Sequence, residues 1–257
     1  MSTATVAPGG VVVVEVRGPG SFGADWGGKP VHFWEDAEPG VRRALLGVDL
    51  GQAPGVVMLK ITAPGTPTNS CRVPVRVKKV DYGVERLRVP RRFIELTPED
   101  RARADREAKR LQEIYAGVTP ERLWSGGFRA PVEGVKASGN FGRRRILNGQ
   151  PRSPHSGEDF PADEGAPVVA AQRGRVVLAE EFFFSGNTVV LDHGLGLFTF
   201  YAHLATIAVK EGELVEAGAP VGRVGSTGRV TGDHLHWAVR INRARVSPLE
   251  LVRVLKE

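Results

Sequence analysis

The chain has 257 residues, of which 41% are hydrophobic and 25% are charged, a composition typical of one large or two ordinary globular domains. Its single cysteine, Cys71, excludes an intramolecular disulfide, and no stretch approaches the ~20 apolar residues of a membrane-spanning helix. The net charge of +6 favours polyanionic partners, but no Lys/Arg block is interleaved with aromatic residues, so we expect no nucleic-acid binding.

Short β-rich runs separated by Gly/Pro clusters dominate residues 10–95. These runs are VVVVEV (11–16), VHFWE (31–35), GVVMLKIT (55–62) and RVPVRVKKV (72–80). Several short strands at this spacing predict a small β-sandwich, which we assign to residues 1–95 and which resembles an immunoglobulin-like module. This region holds no catalytic constellation, and we interpret its one histidine, His32, as a strand residue.

One clear helix is predicted over residues 97–116. Thr97 is a good N-cap, Pro98 occupies the favoured first helical position, and Gly117 is a plausible end. A narrow apolar stripe recurs at helical spacing and comprises Ala104, Ala108, Leu111 and Tyr115. The remaining positions are mostly charged, so the pattern predicts a linker, residues 96–122, that packs lightly on a neighbour.

From about residue 123 the pattern returns to strands separated by glycine turns. The runs are PVVAA (167–171), GRVVLAE (174–180), NTVVLD (187–192), LFTFYAHL (197–204), APVGRVG (219–225) and HLHWAVRI (234–241). We predict a second β domain over residues 123–257. It contains five of the six histidines, and this asymmetry is the main functional signal in the sequence.

Three short segments of the second domain carry residues suited to metal chemistry. His155 and Asp159 lie four positions apart in a segment that Pro and Gly keep out of a helix. His234 and His236 alternate along a strand, so both should face one side; they could chelate a metal together, or one could bind it while the other works beside it. His203 ends an apolar strand and should face a cleft or a turn.

Taken together, these segments indicate a catalytic rather than a structural metal site. Two histidines and one carboxylate fill three positions of a zinc ion and leave the fourth open for water. Zinc lowers the pKa of bound water to roughly 7, and the histidines left over can act as acid, base or oxyanion donor.

The order and spacing of the motifs resemble the lysostaphin-type (LytM-domain) zinc endopeptidases of peptidoglycan. The motifs are H-x-G-x-D at 155–159, Y-A-H-L at 201–204 and G-S-T-G-x-x-T-G-x-H-L-H at 225–236. The resemblance covers about residues 128–250. It implies one zinc ion per chain, held by His155, Asp159 and His236, and catalytic roles for His203 and His234.

Other residues near these motifs have weaker signals. Asn148 and Arg152 precede the first motif, and we predict that they orient substrate or the developing oxyanion. His193 is expected to be structural or to support the site. Asp233 and Glu158 add carboxylates where the family pattern does not require them, but neither replaces a ligand.

The fold expected from these features is all-β, with an N-terminal β-sandwich, a linker helix and a C-terminal lysostaphin-type antiparallel sheet domain with a groove. The function implied by the resemblance is zinc-dependent hydrolysis of the peptide cross-bridges of bacterial peptidoglycan. The alternative is a non-catalytic cell-wall-binding or amidase-regulating module that uses the same groove. Either function implies a periplasmic or secreted protein of the cell envelope, although the segment MSTATVAPGG lacks the features of a signal peptide.

Overall fold

The computed structural model describes residues 4–63 and 70–256, and its regular structure is almost entirely β, as the sequence predicts. The N-terminal strands are β1 (Ala4–Val6), β2 (Val11–Arg17), β3 (Gly23–Trp26), β4 (Lys29–Val31), β5 (Phe33–Glu35), β6 (Val41–Gly47), β7 (Gly55–Thr62), β8 (Ser70–Val77) and β9 (Val84–Leu87). A short 3-10 turn (Arg91–Phe93) and helix α1 (Pro98–Ala116) follow. The remaining elements are β10 (Arg144–Leu147), β11 (Gln150–Pro151), β12 (Gly157–Phe160), β13 (Pro167–Val169), β14 (Gly174–Phe182), β15 (Gly186–Gly194), β16 (Leu197–Ile207), β17 (Leu214–Val215), β18 (Pro220–Val224), β19 (Leu235–Ile241), β20 (Ala244–Val246) and α2 (Pro248–Val254).

Two sheets pack face to face in the N-terminal part. One has the strand order β1-β8-β7-β3-β4 and the other the order β2-β6-β5. Their inward-facing side chains form a common apolar core that includes Trp26, Leu46, Leu59 and Val75. The predicted sandwich is therefore present, with the run at 31–35 divided between β4 and β5; its immunoglobulin-like character stays a prediction.

Helix α1 begins and ends where its capping residues predict. The Thr97 hydroxyl accepts a hydrogen bond from the Asp100 amide at 3.1 Å, and the helix stops before Gly117. Its apolar side packs on the C-terminal sheet through Leu111, Ile114 and Tyr115, whereas Ala108 of the predicted stripe is exposed. Among the described residues, no helix combines the length and apolar character that crossing a membrane requires.

A nine-stranded sheet forms the C-terminal part. Its main path is β12-β19-β16-β15-β14-β17, with β13, β18 and β20 attached at its margins, and its paired strands are antiparallel. All six predicted runs coincide with strands of this sheet. Their alternating residues fill a core around Trp237 and Tyr201, which are fully buried.

The two β regions share packing that the sequence pattern does not indicate. Strand β9, inside the predicted first domain, pairs in parallel with β10 rather than with the sandwich. Val11 and Leu45 belong to the same buried cluster as Trp124 of the C-terminal part. A third contact is the ion pair between Asp49 and Arg245, at 2.7 Å. We therefore propose to keep the three-part division but to place β9 with the C-terminal unit.

Candidate metal centre and catalytic site

Pairing of β12 with β19 brings three predicted metal ligands together. Asp159 lies directly opposite His236 in the register, and His155 lies two residues before the start of β12. Asp159 Oδ1 is 2.8 Å from His236 Nδ1 and 3.2 Å from His155 Nε2, and the two imidazole nitrogens are 2.9 Å apart. Three donor atoms thus converge on one point from residues that are far apart in the chain.

Asn140 orients two members of this donor cluster. Its backbone carbonyl is 3.2 Å from His155 Nδ1, which places the ring proton there and leaves the Nε2 lone pair facing the cluster. Its side-chain amide donates to Asp159 Oδ2 at 2.7 Å, so that Oδ1 is the oxygen left for a metal. Such outer partners are a regular feature of protein metal sites.

The protonation states also suit a metal ion. Burial lowers the pKa of His236 to about 4, so the ring is neutral at neutral pH. Burial alone would raise the pKa of Asp159, but its hydrogen bonds with His155 and His236 hold it well below the usual range. Neutral imidazoles and an ionised carboxylate are the ligand forms that bind zinc, so the donor set fits this metal.

His203 and His234 flank the donor cluster and present the same ring atom to it. The Nδ1 atom of His203 bonds the Thr227 carbonyl at 2.9 Å, and that of His234 bonds the Gly232 carbonyl at 2.9 Å. Both rings therefore carry the proton on Nδ1 when neutral and keep Nε2 free. His234 Nε2 is 3.8 Å from Asp159 Oδ1, and the ring centroids of His203 and His234 are 5.0 Å apart. The predicted common face of His234 and His236 is confirmed.

Two residues of the first motif have distinct structural tasks. Gly157 lies beneath His236, where an added Cβ would come within 2.7 Å of the imidazole Cε1. Glu158 alternates to the opposite face of β12 and accepts a hydrogen bond from the backbone N–H of Asn140 at 3.2 Å. Its carboxylate is therefore directed away from the donor cluster and holds the Asn140 loop from behind.

Two cavities open beside the cluster, and the N-terminal elements line both. One, of about 260 Å³, is lined by Glu85 and Leu87 of β9 together with Asp159, His203 and His234. The other, of about 220 Å³, is lined by Leu111 and Tyr115 of α1 together with His203 and His236. The groove is thus built partly from segments that the sequence pattern assigns to the first domain and the linker.

The remaining predicted site residues lie at different distances from this centre. Asn148 is in the β10–β11 turn, where its amide group makes hydrogen bonds of 3.0 and 2.8 Å with the backbone of Val89. Arg152 is half-buried and close enough to Arg229 to lower the pKa of that guanidinium. His193 is fully buried between the Arg173 carbonyl and the Thr199 hydroxyl, both at 2.7 Å, as expected for a structural role.

Sequence reasoning missed three polar residues of the site. Asn140 immediately precedes the Phe141-Gly142 pair, and Arg145 ends the arginine run that follows it; Arg145 bridges Glu85 at 3.1 Å and Asp159 at 3.5 Å. Arg229 lies within the G-S-T-G-x-x-T-G-x-H-L-H motif and lines both cavities. Their nearness to the motifs is a signal that could have marked them as candidates.

Comparison with known proteins points to the same residues as the geometry of the site. The model of peptidase family M23 matches residues 153–248, which hold the donor cluster and both flanking histidines. A crystal structure of a Pseudomonas aeruginosa protein assigned to peptidase M23 is 33% identical, with a TM-score of 0.76, and the alignment covers 96% of this chain and 95% of that one. The chain belongs to peptidase family M23. The likeness to the Pseudomonas structure extends over the sandwich and helix α1 as well as the M23 domain.

Curated M23 relatives are longer proteins. The chain is 39% identical over 124 residues to the peptidoglycan DD-endopeptidase ShyA of Vibrio cholerae, a match that covers 48% of this chain and 29% of the relative. It is 36% identical over 148 residues to the DD-carboxypeptidase/endopeptidase Mpg of Neisseria meningitidis, which covers 57% and 32%. The matched part thus spans less than a third of either relative.

Proposed function

We propose that this chain is a zinc-dependent endopeptidase that hydrolyses the peptide cross-bridges of bacterial peptidoglycan, with one zinc ion per chain. The observation that carries the proposal is the convergence of His155, Asp159 and His236 beside the free Nε2 atoms of His203 and His234. A structural zinc site would be closed by a fourth protein ligand, whereas here two imidazoles line the open side. Such an arrangement supports hydrolysis rather than metal storage.

The substrate class is inferred from the relatives. Two M23 proteins at 39% and 36% identity are named for endopeptidase activity, and one of these names specifies peptidoglycan. We extend that substrate to this chain because the groove beside the donor cluster is open at both sides of His203 and can receive an extended peptide. An enzyme with this substrate acts outside the cytoplasm, so we place the protein in the periplasm or cell envelope.

His155, Asp159 and His236 would hold the zinc, which when bound supplies a Lewis acid for the scissile carbonyl and an activated water. The chain's own residues then accept and donate the protons of the reaction. Burial, followed by the repulsion that protonated His236 and His234 rings would exert, lowers the pKa of His203 to about 3, so its Nε2 accepts rather than donates at neutral pH. His234 Nε2, beside the same cluster, carries no proton in the neutral ring, so it can take up a proton and deliver it to the leaving amine. Arg152 remains a candidate for substrate positioning, whereas the Asn148 amide is already engaged with Val89.

The proposed activity is tested by digestion of purified peptidoglycan with and without a chelator. We expect metal-dependent loss of cross-linked muropeptides and gain of uncross-linked ones, read by mass spectrometry. If the zinc-loaded chain binds peptidoglycan without releasing any new species, the non-catalytic alternative is correct instead.

The proposed ligand set is tested by metal content. His155→Ala, Asp159→Ala and His236→Ala should each abolish tight zinc binding, because each removes one of the three converging donors. Asp163→Ala is the matched control, since Asp163 is exposed. Full zinc content in any of the three variants, measured by elemental analysis, would remove that residue from the set.

A further inference from the structure

Arg229 is a half-buried cation beside the donor cluster, and in the part of the chain that the structure describes it has no acidic partner. Its guanidinium takes part in no salt bridge or side-chain hydrogen bond there, and Arg145 and Arg152 are its charged neighbours. Burial first, and these two cations second, lower its pKa to about 10, so it stays charged at neutral pH. A cation removed from water without an anion is costly unless a ligand supplies one.

The charged neighbours of Arg229 do not supply this anion. Arg145 is itself paired with Glu85 and Asp159, and Arg152 donates to the Gln150 side chain at 2.6 Å. Asp233 lines the same cavity but forms no ion pair with Arg229 in the described structure. Arg229 is thus a charge that faces the groove and remains available to an anion.

The position of Arg229 is held firmly relative to the proposed catalytic histidine. Its guanidinium carbon lies 4.3 Å from the centre of the Phe184 ring, and its amide donates to the Phe184 carbonyl at 2.8 Å. The same loop supplies the Thr227 carbonyl that orients His203. At Gly228, between them, an added Cβ would lie 2.4 Å from the Gly186 amide nitrogen, so the loop packs closely against the β14–β15 turn. The cation is therefore preorganised.

We propose that Arg229 binds a carboxylate of the substrate and so makes the enzyme select peptides with a free carboxylate close to the scissile bond. The planar guanidinium can donate two parallel hydrogen bonds to a carboxylate, a recognition that an amide in the same position cannot match. Its place on both cavities puts that carboxylate beside His203 rather than at a remote point on the surface. This inference rests on the proposed peptidase function.

The test uses three synthetic cross-linked stem peptides that differ only in carboxylates. In the first peptide all carboxylates are free, and in the second the C-terminal carboxylate is amidated. In the third, the amidated group is the side-chain carboxylate of the diamino acid through which the two stems are cross-linked. Binding and, separately, kcat and KM are measured for the wild type, Arg229→Gln and Arg229→Lys. Arg223→Gln is the control, because Arg223 is exposed and its guanidinium donates to the Gly165 carbonyl away from the groove residues. Zinc content is measured for every variant.

We expect the wild type to lose about 10–100-fold in kcat/KM on one of the amidated peptides, the usual effect of a lost hydrogen bond to a charged group. The peptide that is affected identifies which carboxylate is bound. On the free peptide, Arg229→Gln should show the same loss of kcat/KM, and on the affected amidated peptide it should show no further loss. The kcat/KM of Arg229→Lys should lie between those of the wild type and Arg229→Gln, and Arg223→Gln should match the wild type.

Equal losses for Arg229→Gln on all three peptides would overturn the proposal, because they would mean a structural role. Equal rates of the wild type on all three peptides would overturn it as well. If the zinc-loaded wild type cuts none of the peptides, the proposed function fails, and the role of Arg229 is then tested by peptide binding alone. Tighter binding of the free peptide than of one amidated peptide, lost in Arg229→Gln, supports the proposal. Equal affinities of the wild type for all three peptides contradict it.

Discussion

At the scale of single residues, His203 shows how the chain places a side chain by bending the backbone. Its φ of 64° lies in the left-handed region, which a residue with a Cβ adopts at a cost of about 1–3 kcal/mol. Hydrogen bonds of its amide to Ser185 and of its Nδ1 to Thr227, at 2.8 and 2.9 Å, hold this conformation inside strand β16. The strain turns the ring toward the donor cluster instead of along the regular pleat.

Substitution of the flanking histidines should separate metal binding from turnover. His203→Ala and His234→Ala are expected to keep zinc, because neither side chain supplies one of the three converging donors. Each should lower kcat by about 10²–10⁴-fold, the usual contribution of a positioned acid or base. Elemental analysis and steady-state kinetics on the same samples measure both effects. If a variant holds zinc and turns over at nearly the wild-type rate, the histidine that was replaced is not catalytic.

At the scale of elements, the β12–β19 pair brings together the proposed metal ligands. Its antiparallel register sets Gly157 opposite Ala238 and Asp159 opposite His236, so the small residue lies where the His236 ring needs room. A shift of one residue in this register would turn Asp159 to the other face of the sheet. The glycine of the H-x-G-x-D motif is thus required by space rather than by an unusual φ.

Gly157→Ala should therefore weaken zinc binding without removing a ligand. The new Cβ would lie 2.5 Å from the Trp237 carbonyl oxygen and 2.7 Å from His236 Cε1, so the imidazole or the strand must move. We expect the zinc dissociation constant, measured by competition with a chromogenic chelator, to rise about 10–100-fold. Gly23→Ala, where an added Cβ has nothing within 4 Å, is the control. An unchanged affinity in Gly157→Ala would mean that the β12–β19 pair can relax locally.

At the scale of the whole molecule, the sandwich and the M23 domain are held together by packing and by a partly buried ion pair. Trp34 of the sandwich and Trp124 of the C-terminal part meet edge to face, with ring centroids 5.6 Å apart. Asp49 joins Arg245 of strand β20 through three hydrogen bonds of 2.7–3.1 Å. These contacts fix the position of the N-terminal part, and with it the groove walls, against the M23 domain.

The Asp49–Arg245 pair predicts a defined dependence of stability on pH. Burial alone would raise the pKa of Asp49, but the hydrogen bonds with Arg245 lower it from 3.8 to about 2. A depressed folded-state pKa contributes stability above pH 4 that is lost as the pH falls toward 2. Allowing for partial exposure, Asp49→Asn should cost about 1–2 kcal/mol at pH 7.

Urea unfolding of the wild type and Asp49→Asn across pH 7 to 3 measures this difference. The gap between the two should be constant down to about pH 4 and narrow below it. Asp163→Asn, at an exposed aspartate, should show no gap. A difference for Asp49→Asn that does not change with pH would mean that the lost stability comes from packing and not from the charge.

The shared core also predicts how the chain responds to truncation. The strand pattern suggests that residues 123–257 form a self-sufficient unit, but Val11 and Leu45 complete its buried cluster and β9 pairs with β10. A fragment of residues 123–257 should therefore melt at a lower temperature than the full chain in circular dichroism. A fragment of residues 80–257, which keeps β9 and α1, should be intermediate. Equal melting temperatures for the shortest fragment and the full chain would contradict the shared core.

The sequence by itself determined the features that depend on neighbours along the chain. Alternating apolar residues predicted the long strands, Thr97 and Pro98 predicted the start of α1, and the spacing within the motifs marked the histidines that line the site. Only the tertiary structure decided that Asn140 orients two donors, that β9 and α1 form the groove walls, and that Arg229 has no acidic partner among the described residues. Periodicity and capping arise from local backbone geometry, whereas these contacts join segments far apart in sequence. Asp159 and His236, 77 positions apart, meet only because two strands pair in one register, which no local preference specifies.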